Sequence, residues 1–352
     1  MAVRAHPVRE ARGGDDDALC FRVEGGRYDL SRSARLEHRW NPGRVSDGRD
    51  PTDNVVRSED DDNAGDHQEH DEGGHERIEH FSLGYAWTAS VSYPFTRGRK
   101  KVTPIAVITG ASSGIGAATA IALGRHGYRV VVGARRVERL ERVAGEEGVA
   151  LPLDVTDEQS VTDFVREVAK RFGRIDVLVN NAGGALGLNP IEKAIDDEWI
   201  GMWKTNVLGL MWMTRACLPL LRKAKHGHIV NIGSIAGFET YKGGAGYTAV
   251  KHAVRAISKT LRLELNGEPI RVTEIAPGLV ETEFSVVRFH GDRKAARAVY
   301  EGLKPLTADD IAECVLFAVT RPPHVDIDEI VVRPVAQATV WQVARKPSRK
   351  RS

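Results

Sequence analysis

From residue 104 onward the chain alternates short apolar runs with longer amphipathic ones, and this limits the fold more than any other feature. PIAVIT (104–109), RVVVGA (129–134), VALPLD (149–154) and IDVLVN (175–180) read as strands. Between them IGAATAIALGRHG (115–127), RVERLERVAGEEG (136–148) and EQSVTDFVREVAKRFG (158–173) read as helices. Strands alternating with helices of this length predict a parallel sheet covered on both faces. The strand runs are apolar throughout, as expected for strands buried on both sides. The pattern continues through GHIVNIG (227–233), a helix carrying GYTAVKHAV (246–254) and IRVTEIAPG (270–278), and it ends at EIVVRP (329–334). The prediction is one doubly wound α/β domain over 102–335, without a repeat or an internal linker.

The first strand-to-helix turn is TGASSGIG, Thr109 to Gly116. Gly110, Gly114 and Gly116 let the backbone turn tightly and approach a diphosphate. The helix that follows offers unpaired N–H groups and a partial positive charge to an anion. Many turns of this kind carry glycine, so the weight lies in the context: a strand before, a helix after and a βαβ unit around it. The second strand ends in GARR, and the acid that would bond a ribose 2′-hydroxyl is missing. Arg135 and Arg136 stand there instead, and guanidinium suits a 2′-phosphate. The other reading is two surface arginines at a helix start.

In GYTAVKHAV, Tyr247 and Lys251 are four apart on a helix and share a face. A free phenol has a pKa of about 10, too high for a base at neutral pH. A nearby cation favours the phenolate, so the pair predicts a phenol whose proton is to be moved. Taken alone, the pair is better read as a surface tyrosine beside a lysine.

The rest of the chain has a different character. Residues 1–101 are charged and glycine-rich, with little periodicity, and the whole chain is 41% hydrophobic. SEDDDNAGDHQEHDEGGHERIEH (58–80) cannot bury enough apolar surface to order itself, which predicts a disordered extension. Its histidines His67, His70, His75 and His80 match no defined metal site, so no metal is expected and a solvated polyelectrolyte is the simpler reading. FSLGYAWTASVSYPF (81–95) is a lone apolar patch, either a β-like segment or a loose arm. The next Met after Met1 is Met202, so a later start would need another codon, for example at Val102. A net charge of +2 gives no argument for nucleic acid. Cys20, Cys217 and Cys314 are sparse and unpaired in spacing, which fits a reducing compartment, and a cytoplasmic location is expected. No signal-like N-terminus and no membrane-length apolar run is found. The basic tail, 336–352, ends in RKPSRKRS (345–352), which reads as a solvated segment, with nucleic-acid contact as the alternative.

TGASSGIG, NNAG (180–183), GS (233–234) and YTAVK (247–251) together resemble the short-chain dehydrogenase/reductase family over about 102–335. The resemblance implies a single Rossmann-type domain. It implies a reactive set of Asn206, Ser234, Tyr247 and Lys251. It implies cofactor contacts from Gly110, Ser112, Gly114, Ile115, Gly116, Arg135, Asp154, Asn181, Pro277 and Gly278, with Tyr247 as acid/base and Lys251 holding the nicotinamide ribose. Asn206 would hold a water linking Lys251 to solvent, and Ser234 would donate to the substrate oxygen.

KHGHIVNIGSIAG (225–237), RVTEIAPGLVETEFSVVRFHGD (271–292) and RPPHVDIDEIVVRP (321–334) resemble the NADP-dependent 3-hydroxy acid dehydrogenases, the branch that oxidises serine and allo-threonine. That implies a small alcohol or carbonyl substrate, no membrane or nucleic-acid partner, and a homo-oligomer, tetramer or dimer. Clavulanate-type aldehyde reductases share part of the pattern, and related folds that only bind NADP as sensors usually lack the Tyr or the Lys. The apolar helix VLGLMWMTRACLPLLRKA (207–224) is expected to serve both core and subunit interface. The segment 281–302 loses regular periodicity until Lys294, and there Arg288 sits between Val287 and Phe289. It is read either as a carboxylate anchor or as an exposed arginine in a mobile lid.

Overall fold

The computed structural model describes residues 102–346, in which the strands are β1 (Ile105–Thr109), β2 (Arg129–Ala134), β3 (Val149–Pro152), β4 (Val177–Asn180), β5 (Gly227–Ile232), β6 (Ile270–Pro277) and β7 (Glu329–Val332). They form one parallel sheet in the order β3-β2-β1-β4-β5-β6-β7. The connecting helices are α1 (Gly114–Arg125), α2 (Leu140–Ala144), α3 (Glu158–Phe172), α4 (Asp196–Trp203), α5 (Gly209–Leu221), α6 (Ala245–Glu264), α7 (Phe284–Arg288), α8 (Arg293–Ala298) and α9 (Ala308–Val319). The extension over 1–101, with its histidines and its apolar patch, lies outside the described residues, as do the last residues of the tail.

Every residue of β1 is buried, and its side chains alternate between two cores. Ile105 and Val107 pack with Phe164, Met213 and Leu221 on one face. Ala106 and Ile108 pack with Leu123, Ile311 and Val315 on the other. Fully burying such a side chain is worth about 1.5–3 kcal/mol, so a polar substitution in β1 weakens both layers. α3 starts at Asp157, whose side chain accepts from Gln159 N–H, and ends at Gly173, with φ 70°. These are the expected start and stop signals.

Strand order reverses between β1 and β4, which flank the point where ligands bind at the carboxyl edge of open α/β sheets. Three elements differ from the sequence reading. The helix read over 136–148 is a 3₁₀ turn, Val137–Arg139, then α2, which stops at Gly145 with φ 70°. The segment 281–302 is helical earlier than expected, in α7 as well as α8. The chain does not leave the domain at residue 335. Gln337 accepts the Leu279 N–H at 2.8 Å, and Lys346 N–H donates to Gly302 O at 2.8 Å. Residues 336–346 therefore run back as a strap over the segment after β6, because their polar groups satisfy backbone there.

Candidate functional site

The turn after β1 is shaped by close backbone approach. Gly110 has φ 65°, and a Cβ there would lie 2.8 Å from Ala182 Cα. A Cβ on Gly116 would lie 2.4 Å from Asn181 Nδ2. Thr109 Oγ1 accepts from Asn181 N–H at 3.0 Å and Ala182 N–H at 2.9 Å. Asn181 Nδ2 donates back to Thr109 O at 2.9 Å and Gly110 O at 3.2 Å. Asn181 is thus tied to the turn by its side chain, and Thr109 is a structural member of the motif that the glycine pattern did not single out. α1 opens at Ser113 without a side-chain cap, so its first N–H groups remain available to an anion.

The two arginines after β2 differ. Arg135 is exposed and lies in the cavity wall. Arg136 Nη2 donates to Ser113 Oγ at 2.9 Å and Ser112 Oγ at 3.1 Å, and its Nη1 donates to Glu283 Oε2 at 2.8 Å. Arg139 Nη1 meets the other Glu283 oxygen at 2.9 Å. The Arg136 hydrogen bond, with help from Arg139, holds the Glu283 carboxyl down to about 2. Sequence reading missed Glu283 and Arg139. Glu283 is 147 residues from Arg136, and no local pattern links them.

At the other end stand Ser234, Tyr247 and Lys251. Ser234 follows β5, accepting Ala236 N–H at 3.1 Å and donating to Pro277 O at 3.5 Å. Tyr247 and Lys251 lie one turn apart on α6, with the Lys251 Nζ 5.8 Å from the Tyr247 ring centre. Lys251 is buried and donates to Ile232 O at 2.9 Å. Burial lowers its pKa to about 8, against a pull upward from Glu274. In the protein alone the pull of a neighbouring cation on the Tyr247 phenol is outweighed. Burial pushes the phenol well up and Tyr241 adds to it, outweighing Ser234 and Arg288, which pull it down.

Asn206 lies deeper than the other three residues of the set. It sits in a π-helical turn, Lys204–Leu208, behind the cavity rather than on its wall. Its Nδ2 donates to Gly184 O and Met202 O, both at 2.9 Å, and its Oδ1 accepts Gly184 N–H at 3.3 Å. Both amide hydrogens are committed to backbone. A Cβ on Gly183 would lie 2.7 Å from Asn206 Oδ1 and 3.6 Å from Lys251 Nζ, so the two groups meet beside that glycine.

Arg288 faces inward. Its Nε donates to Gly187 O at 3.1 Å, and its guanidinium lies 5.4 Å from the Tyr241 ring centre and 5.7 Å from that of Tyr247. Phe284 meets Tyr247 edge-on, with ring centres 5.4 Å apart.

One cavity of about 790 Å³ joins these groups. Binding sites for small molecules and cofactors run to about 300–1,000 Å³. Its wall includes Gly110, Ser112, Gly114 and Ile115 from the turn, with Asp154 and Asn181 beyond β3 and β4. Pro277, the last residue of β6, and Gly278 after it lie on the same wall, while Gly116 is not on it and packs under Asn181. Asp154 Oδ1 accepts Thr156 N–H at 2.9 Å, so this carboxylate shapes its own turn. Tyr241, Phe284 and Trp341 complete the apolar lining, unsignalled by any motif.

The family model described as short chain dehydrogenase matches residues 104–292. An uncharacterized oxidoreductase of Mycobacterium tuberculosis is 52% identical over 246 residues, 70% of this chain and 96% of its own length. The NADP-dependent 3-hydroxy acid dehydrogenase of Schizosaccharomyces pombe is 45% identical over 248 residues, 68% of this chain and 96% of that protein. Among solved structures, the closed form of serine dehydrogenase complexed with NADP⁺ superposes with a TM-score of 0.65 at 40% identity, covering 69% of this chain and 100% of the other.

Proposed function

The chain belongs to the short-chain dehydrogenase family, and from that premise we propose that it is an NADP-dependent dehydrogenase of small 3-hydroxy acids. The observation that carries this is the run of one cavity from the glycine turn and Arg135 to Ser234, Tyr247 and Arg288. A turn whose glycines leave no room for a Cβ fits the diphosphate of a dinucleotide, and the arginines after β2, with no acid among them, favour the 2′-phosphate of NADP. The chemistry NADP supplies when bound is hydride exchange at its nicotinamide ring.

The side chains of the protein do the rest. Tyr247 takes the hydroxyl proton in oxidation and returns it in reduction. Ser234 donates a hydrogen bond to the oxygen on which charge develops. Lys251, held on Ile232 O beside the phenol, favours the phenolate when protonated. Because burial raises the Tyr247 pKa, oxidation speeds up as pH rises and reduction is favoured as it falls. Arg288 is suited to a planar carboxylate next to the reacting carbon. A homo-oligomer is part of the same reading, supported by the outward Ile200 and Trp203 of α4 and Ile195 just before it.

Two variants test the reading with serine, allo-threonine, 3-hydroxyisobutyrate and 3-hydroxypropionate, each with NAD and NADP. Tyr247→Phe should cut kcat by about 10²–10⁴ while NADP binding stays near normal. Arg288→Leu should erase the preference for the acid over its methyl ester. Wild-type protein that favours neutral alcohols or aldehydes would replace the hydroxy-acid reading with that of an aldehyde reductase.

A further inference from the structure

Beneath the Tyr247–Lys251 pair lies a carboxylate that the reaction scheme leaves unused. Glu274 is in β6 and only 2% exposed, and its Oε1 has no hydrogen-bond partner. It stands directly across the ladder from Glu329 of β7. Like charges in that position repel, so each acid needs a cation. Glu329 has one, since it pairs with Arg255, whose guanidinium also stacks 3.5 Å from the Phe238 ring centre. Arg255 is one turn beyond Lys251 on α6, so both basic side chains leave the same face. Glu274 shares Arg255 with Glu329, and the further cation facing it is Lys251.

The loop after β5 brings the two together. Lys251 Nζ is anchored on Ile232 O at 2.9 Å. The next residue is Gly233, where a Cβ would lie 2.2 Å from Glu274 Oε1 and 3.0 Å from its Cγ. The Glu274 carboxyl therefore packs flat on the peptide that links the lysine's anchor to Ser234, and only glycine permits this. The groups facing Glu274 are Lys251, Arg255 and Ser258 from α6 and Glu329 from β7. Burial pushes Glu274 up to about 7 and Glu329 adds to that, while Arg255 and Lys251 pull it back. The influence is mutual, since Glu274 supports the charge on Lys251 against burial.

We propose that Glu274 is a positioning residue for the reaction, the buried counter-charge that keeps Lys251 protonated and so sets the pH range in which Tyr247 can work. The inference rests on the Tyr247–Lys251 reading above. A buried ammonium held by a single carbonyl sheds its proton readily. Neutral Lys251 no longer favours the phenolate, and Tyr247 then needs a higher pH to act as a base. A carboxylate a few ångströms away shifts a neighbouring titration by about one unit at an effective dielectric near 20, and that is the size the test is set to read.

The test is the pH profile of kcat/KM for alcohol oxidation in wild type, Glu274→Gln and Glu274→Asp. Glu274→Gln keeps the shape and removes the charge. Its acid limb should move up by about one pH unit, costing about tenfold at a fixed pH between about 7 and the limb, with the rates converging at high pH and again below about 7, where the wild-type carboxyl is itself protonated. Glu274→Asp keeps the charge and should hold the limb near its wild-type position. A second readout needs no turnover. Wild-type Glu274 binds more protons folded than unfolded between about 4.5 and about 7. Stability therefore falls as pH rises through that window, and Glu274→Gln should flatten the fall in Tm. A loss of rate that is uniform across pH, or a limb that does not move, overturns the proposal. If Tyr247→Phe keeps its turnover, the underlying reading fails. If Tyr247→Phe loses turnover while the limb stays put, only the role of Glu274 fails.

Discussion

At Gly110 and at Gly291 the backbone takes the same left-handed turn, with φ 65° and 93°, yet the surroundings differ. A Cβ at Gly110 would meet Ala182 Cα at 2.8 Å, whereas one at Gly291 would meet nothing within 4 Å. The first belongs to the wall of the cavity made by β1 and β4, where main chain touches main chain. The second belongs to the segment after β6, which is held at separate points by side chains (Glu283 on Arg136 and Arg139, Arg288 on Gly187, Gln337 on Leu279) and by isolated backbone bonds such as Gly187 N–H to Arg288 O. A wall built of backbone has no rotamer through which to relieve an added atom. A segment held at separate points can lose one tie and keep its path. The lesson is that the turn after β1 is rigid by construction and the segment after β6 adjustable.

The difference can be broken or sharpened by substitution. Gly110→Ala should cost the most, about 2–3 kcal/mol from strain and overlap combined, and lower Tm by roughly 5–10 °C. Calorimetry and a cofactor titration would show both stability and NADP affinity falling; a variant with normal Tm would refute the rigid-wall account. Gln337→Ala leaves the Leu279 N–H without its acceptor, at about 1–2 kcal/mol, and should raise KM for substrate more than it lowers kcat. Limited proteolysis should then cut first within 281–302. Gly291→Ala meets no neighbour and should cost only backbone strain, about 1 kcal/mol, with cofactor affinity unchanged in a parallel titration.

Glu283→Gln should have the smallest effect, at most about 1 kcal/mol, because both ion pairs are partly exposed. Its sign with pH is definite. The folded carboxyl titrates near 2 rather than 4.5, so its contribution is present above about 4.5 and is lost as pH falls toward 2. Thermal melts between those values should show a shallower acid loss in Glu283→Gln than in wild type, and added salt should narrow the gap.

What could be seen in the sequence follows the same division. β2 is bounded as RVVVGA predicts, and β5 and β6 each fall one residue short of their predicted ends. These strands carry unbroken apolar runs, a signal local to each. The glycine turn was legible because its residue types meet a backbone requirement written within a few positions. Ser234, Tyr247 and Lys251 converge because two of them share one helix face and the third ends an adjacent strand. The segment after β6 was not legible in this way. α7 is five residues long, too short for a helical period to show. The Arg136–Glu283 bridge joins positions whose proximity depends on the whole sheet between them. Nor does composition mark 336–346 as a strap, since it is tied down by a carboxamide and backbone groups rather than an apolar stripe.

The strap has a consequence for how the molecule comes into being. Domains fold as units, so a chain growing from its N-terminus has its last strand, β7, and the strap after it still to come when the rest of the sheet has been made. Even when β7 has paired with β6, Leu279 still waits for Gln337, and Gly302 waits for Lys346. The cavity draws its wall from the turn after β1 as well as from Pro277, Gly278 and the strap, so it closes only when the end of the chain has been made.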